Sequence, residues 1–268
     1  MSSVLSRASG SARHWAALVL LMIAAYPAQS QSFPDRVAAF MPGVNSGFGQ
    51  AYYPTNVLGA PHGNTNPQTP NFSQQDLLSL GTGGEIVLEF TSTEIVNGPG
   101  DDFTVFENPV QPISNPDQSF VDSATVSVSD DGTSWVTFPF HIVSISADRL
   151  YYKSNYVGLA GVQPTFSSPT NGISPFDRAV SGGDGYDLTS VGLTRARFIR
   201  IKDTGTTTVS PTIDLLGHIV NDYGNQLDPD PLSPGVGIAA GFDLDGIAAI
   251  HTTPRTTAVR REDWVLYE

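Results

Sequence analysis

Residues 123–129 read Ser-Ala-Thr-Val-Ser-Val-Ser, an unbroken alternation of polar and apolar side chains. A period of two places Ala124, Val126 and Val128 on one face of a strand and Ser123, Thr125, Ser127 and Ser129 on the other. Asp130-Asp131-Gly132 comes next. Asp-Gly tolerates the positive φ of a hairpin turn, so residues 135–140 are expected to pair back. Similar runs recur at 85–91, where Ile86, Leu88 and Phe90 alternate with Val87 and Glu89, and at 102–107, 195–202 and 242–251. Almost nothing repeats every 3.6 residues. Short strands without helices predict an all-β fold, an antiparallel β-sandwich of the jelly-roll kind. Residues 31–71, 141–190 and 203–241 are broken by Gly, Pro and Asn and read as long connections. A brief helical turn is expected near 74–80, and one or two short strands within 141–190. With no internal repeat or low-complexity linker, residues 31–268 are expected to form a single domain.

Residues 1–30 have the make-up of a secretory signal peptide. Arg7 and Arg13 precede an apolar run at 15–26, and Ala28-Gln29-Ser30 fits a small-x-small cleavage site. The run is short for a full membrane crossing, which favours cleavage over anchoring. The expected destination is therefore extracellular, cell-surface or periplasmic. No later apolar run approaches a membrane span, so no transmembrane anchor is expected in the mature chain. The full chain has 13 basic and 26 acidic residues, a net charge of −13. Losing Arg7 and Arg13 leaves 11 basic residues and a net charge of −15. That balance argues against nucleic acid, whose phosphates demand clustered Lys and Arg, and is compatible with divalent cations or neutral glycans. Cysteine is absent, so stability must come from core size, bound ions or both.

The acidic residues concentrate at the ends of the expected strands. Residues 98–108 read Gly-Pro-Gly-Asp-Asp-Phe-Thr-Val-Phe-Glu-Asn. Phe103, Val105 and Glu107 share a face of that strand, which puts Glu107 at the rim of a core, where it needs a cation or a donor. Asp102 lies at the other end. Asp184, Asp187, Asp243 and Asp245 occupy comparable positions, and the last two would project from one face of a strand. Hard oxygens in such numbers suit calcium, which takes six to eight oxygen ligands including loop carbonyls. Pairing with Arg178, Arg197 or Arg200, or capping of turns, accounts for the same residues, and the sequence leaves both readings open. No Asp-x-Asp-x-Asp-Gly loop is present, which argues against an EF-hand.

Val128-Ser129-Asp130-Asp131-Gly132-Thr133-Ser134-Trp135 resembles the hairpin of discoidin-like, galactose-binding-like sandwiches, and Ala196-Arg197-Phe198-Ile199-Arg200-Ile201 resembles a later strand of that group. Val57–Pro61 is similar to its first turn. Leu78-Ser79-Leu80-Gly81, Gly100-x-Asp102-Phe103-x-Val105-Phe106-Glu107-Asn108, Gly183-Asp184-x-x-Asp187-Leu188 and Gly241-Phe242-Asp243-Leu244-Asp245 occur in this order. That order resembles a family of bacterial secreted or cell-surface proteins, some carrying a Pro-Glu-Pro sorting anchor, which this chain does not show. The resemblance covers roughly 56–251. It implies a galactose-binding-like sandwich, export, Trp135 in the core and, as in many discoidin-like folds, a structural calcium ion.

For function, the sequence favours a non-catalytic binding or surface-associated module with a glycan or cell-surface protein as partner. Loop aromatics for sugar stacking are available at Tyr52, Tyr53, Tyr151 and Tyr152, although the sequence favours packing at the sheet edge for them. A carboxylate-based glycan-cleaving enzyme is one alternative, and a structural protein of an extracellular matrix another. Nucleophilic catalysis finds no cysteine and no Gly-x-Ser-x-Gly turn. The histidines form no His-Glu-x-x-His motif, and residues 81–84 lack the Lys-Ser/Thr of a phosphate loop.

Overall fold

The computed structural model describes residues 30–221 and 240–255; the signal peptide expected at 1–30 falls almost wholly outside them. The strands are β1 (Ser30–Ser32), β2 (Arg36–Met41), β3 (Leu78–Ser79), β4 (Glu85–Glu89) and β5 (Thr93–Val96). Next come β6 (Phe103–Phe106), β7 (Ala124–Ser129), β8 (Val136–Thr137), β9 (His141–Ile142) and β10 (Tyr156–Val157). The last are β11 (Asp184–Tyr186), β12 (Arg195–Ala196), β13 (Phe198–Asp203), β14 (Asp243–Leu244) and β15 (Gly246–Pro254). The helices among the described residues are 3-10 turns of three or four residues.

Two sheets make the sandwich. One runs β11-β6-β15-β5-β12, with β1 added along β15; the other runs β2-β4-β13-β7-β8. Strand pairing within both is antiparallel. The alternation seen in the sequence explains the layers. Ile86 and Leu88 of β4, Val126 and Val128 of β7, and Ile199 and Ile201 of β13 meet Phe103 and Val105 of β6 and Ile247 and Ala249 of β15 in one core. Fully burying each Val, Leu, Ile or Phe contributes roughly 1.5–3 kcal/mol. A smaller cluster of Val121, Ile142, Tyr156, Leu159, Val162 and Val220 sits under the long connections.

The fold class is the expected one, and several details differ. Residues 36–41, inside a stretch read as loop, form β2 and pair with β4 through a register shift between Val37 and Ala39. The last strand is broken at Asp245, which lies between β14 and β15 and in neither, so Asp243 and Asp245 do not share one strand face. Trp135 is half-buried on the outside of the second sheet instead of in the core. Its ring lies under the Arg200 guanidinium at 4.5 Å and edge-on to Phe198.

Glu89 locks the edge of the second sheet. It is almost completely buried, with Arg36 Nε 2.7 Å from Oε2 and Arg197 Nη2 2.7 Å from Oε1. Register explains the meeting, because Arg36 and Phe198 both stand opposite Glu89. Glu89→Gln keeps the shape but removes the charge both guanidiniums face. A loss of about 2 kcal/mol is expected, read as a lower urea midpoint with an unchanged slope.

Candidate functional site: a buried carboxylate cluster

Topology sorts the six candidate carboxylates into two groups. Strand β6 lies between β11 and β15, and both run antiparallel to it. Where β6 ends, at Glu107, its neighbours begin, at Asp184 and just after Asp245. Where β6 begins, at Asp102, β11 ends and Asp187 follows. The six do not gather in one place, because a four-residue strand separates Asp102 from Glu107.

At the first end, the carboxylates hold backbone. Asp102 is fully buried and accepts the Gly98 amide on Oδ1 at 2.7 Å and the Leu188 amide on Oδ2 at 2.8 Å. Burial and the nearby Asp187 charge raise its pKa, against the pull of those amides. Asp187 caps the 3-10 turn at Leu188–Val191 by accepting from the Thr189 amide at 2.7 Å. Both groups act as turn staples.

The other end is different. Glu107 is almost entirely buried, and its Oε2 is shut off from solvent with no hydrogen-bond partner. Desolvation pushes its pKa well up, and the charges of Asp243, Asp184 and Asp245 push the same way. Asp243 is half-buried as a residue, yet its Oδ1 is enclosed and also without a partner. Its pKa is raised to about 7, by burial first and also by Asp203. Asp245 is buried, accepts the His62 amide on both oxygens at 2.8 and 3.0 Å, and is raised to about 8 by desolvation, with Asp76 adding to it. Asp184 accepts the Val162 amide at 2.9 Å, and burial raises it to about 6.

A buried carboxylate without a donor is costly unless it is protonated or meets a cation. Of the four raised carboxylates at this strand end, Asp184 and Asp245 accept backbone amides, while Glu107 and Asp243 each carry an enclosed orphan oxygen, and that pair fits a hard cation by donor chemistry. Among the described residues no three His, Asp or Glu side chains converge as a finished ligand set. A cation here would therefore draw on Glu107 and Asp243 first and complete its sphere with carbonyls or water.

The arginine pairing considered from the sequence takes other routes. Arg178 binds Asp101 at 2.8 Å, Arg197 binds Glu89, and Arg200 covers Trp135. Sequence reasoning also missed Asp203, whose buried carboxylate gathers the amides of Gly83, Gly205 and Phe242 at 2.6–2.9 Å. Its position at the end of β13, beside glycine turns, was the available signal.

Of the candidate sugar-stacking tyrosines, Tyr53 packs on Phe40 at 5.2 Å. Tyr151 packs edge-on to Phe120, and Tyr152 has the Arg149 guanidinium 5.2 Å from its ring centre. Tyr52 is 42% exposed. Three of the four rings are thus engaged by their own protein.

No helix among the described residues is long and apolar enough to cross a membrane. No protein-family model matches the chain, and a search of curated proteins returned no match. Among solved structures, the C-terminal domain of a chitobiase from Bacteroides fragilis is similar at 10% identity and a TM-score of 0.33. The match covers 85% of this chain and all of that domain.

Proposed function

We propose that this chain is an exported, non-catalytic binding module whose β-sandwich is braced by calcium at the end of β6, with a glycan or cell-surface protein as its ligand. The observation that carries the calcium reading is the pair of enclosed, partnerless oxygens on Glu107 and Asp243 among four carboxylates of raised pKa. A cation bound there would join the end of β6 to its neighbours β11 and β15 and to the short β14-β3 pair, which stiffens the rim of the first sheet. Burial favours bracing over glycosidic chemistry. General acids must reach a substrate oxygen, whereas Glu107 and Asp245 are each only 3% exposed.

The test is thermal unfolding in chelator and then in calcium. Binding to the native state alone adds RT ln(1 + [L]/Kd), about 2.7 kcal/mol at a hundredfold excess over Kd. The melting temperature should rise by several degrees with calcium and fall back with chelator. Glu107→Gln should abolish that response while leaving the metal-free protein at least as stable, because it removes a repelled charge. No response at millimolar calcium overturns the bracing reading, and release of reducing sugar from a glycan panel overturns the non-catalytic one.

A further inference from the structure

The segment 163–183 is tied to the end of β6, where the Thr165 hydroxyl donates to the Glu107 carbonyl, and with Thr65 it lines an open cleft of about 740 Å³. Its walls are Thr65, Gln163, Phe166, Ile173, Arg178 and Val180, with Gly182 and Gly183 at the base. The base is glycine of necessity. Gly183 has φ +70°, and a Cβ there would stand 2.6 Å from Phe106 and 2.8 Å from Thr104.

The cleft is rigidly built. The Gly63 amide reaches the Ser167 carbonyl at 2.7 Å, the Asn64 amide the Thr165 carbonyl at 3.1 Å, and the Phe166 amide the Ser181 carbonyl at 2.9 Å. Arg178 is fixed on two sides, with Nε on Asp101 at 2.8 Å and Nη1 on the Gly182 carbonyl at 2.6 Å. These bonds leave its Nη2 uncommitted among the described residues. The Gln163 side-chain amide and the Thr65 hydroxyl likewise make no bond to a described residue, and each lines the cleft.

We infer that this cleft binds a neutral pyranose sugar, an inference that rests on the glycan-binding reading above and gives it a place. A pyranose offers apolar C–H faces and a rim of hydroxyls. Phe166, Ile173 and Val180 supply apolar wall, while a fixed guanidinium edge, an amide and a hydroxyl supply donors and acceptors. Charge decides for a neutral ring over an acidic one. Asp101 already balances Arg178, and the chain as a whole carries −13. Preorganisation by the backbone bonds keeps the ordering cost of binding low.

The experiment is saturation-transfer NMR and calorimetry on the full chain with galactose, glucose, N-acetylglucosamine, their β-linked trimers and glucuronic acid. At least one neutral sugar should bind, and Gln163→Ala, Phe166→Ala and Arg178→Lys should each weaken it tenfold or more. Arg178→Lys keeps the charge facing Asp101, so its melting temperature checks that the fold is intact. Binding untouched by all three variants but lost in Tyr52→Ala overturns the cleft and leaves the glycan reading standing. Preference for glucuronic acid overturns the neutral assignment. No binding by any sugar overturns the cleft and the glycan reading together.

Discussion

Held in chelator, the protein should be most stable near pH 4 and lose stability steadily as the pH rises to 8. The four carboxylates at the end of β6 fix the sign. Asp184, Asp243 and Asp245 have native values raised to about 6, 7 and 8 from an ordinary 3.8, and Glu107 is raised as well. A raised carboxyl holds its proton more tightly folded than unfolded. Its contribution is complete below the unfolded value and is lost as pH climbs through the native one. Each unit is worth about 1.4 kcal/mol. Because the four share one repulsive field and two are only half-buried, the combined loss by pH 8 should be on the order of 5 kcal/mol.

The neighbouring groups shape this curve without reversing it. His62 and Asp76 face Asp245, Asp203 faces Asp243, and Arg178 faces Asp184. On the acid side Asp35 and Asp214 oppose the cluster. Backbone amides lower their pKa values in spite of partial desolvation, so their contribution is present above the unfolded value and lost below it. Calcium should erase the alkaline loss, since a cation replaces the protons that the buried oxygens otherwise need. Urea midpoints from pH 4 to 9, with and without calcium, check both halves. A chelated protein that is more stable at pH 8 than at pH 5 would falsify the picture of a compressed acidic cluster.

How much of this was legible in the sequence depends on whether the cause is local. Strand β7 and its Asp-Gly turn announce themselves, because alternation and turn chemistry act over a few residues. The core face of β6, with Phe103 and Val105, was equally clear. The grouping of the carboxylates was not legible. It depends on which strands flank β6, and only the order β11-β6-β15 puts Asp184 and Asp245 at the Glu107 end and Asp187 at the Asp102 end. Strand β2 hid because Val37 and Ala39 straddle a register shift and most of its side chains are exposed, so no clean period of two survives. Trp135 misled for a related reason. A tryptophan beside a hairpin suggests core, but the outer face of β7 is itself covered, with Ser127 hydrogen-bonded to Thr137 and Arg200 laid across the ring. The cleft residues carry no local signature, since Thr65 and Gln163 are nearly a hundred positions apart and meet through the 63–64 to 165–167 pairing.

Asp102→Ala should be the most damaging single substitution among the six carboxylates. The side chain ties the Gly98 turn before β6 to the Leu188 amide after β11. Its backbone also takes part: the Asp102 amide bonds the Tyr186 carbonyl at 2.8 Å, and its carbonyl receives the Ile250 amide at 2.7 Å. Truncation leaves two amides facing a carboxylate-sized void, one of them buried. Each unmet buried donor costs roughly 1–3 kcal/mol, and bonds to a charged acceptor lie at the upper end, so a loss of about 4 kcal/mol is expected. Asp102→Asn separates shape from charge. Its single carbonyl oxygen can satisfy one amide while its NH2 opposes the other, which predicts an intermediate loss. Asp187→Ala, removing only the cap on the Thr189 amide, should cost about 1 kcal/mol. Hydrogen exchange should show where the damage lies, with the Gly98 and Leu188 amides exposed first and β4, β7 and β13 protected until global unfolding. If Asp102→Ala unfolds at the wild-type urea midpoint, Asp102 is not the staple of this end of β6. Its burial would then need another cause.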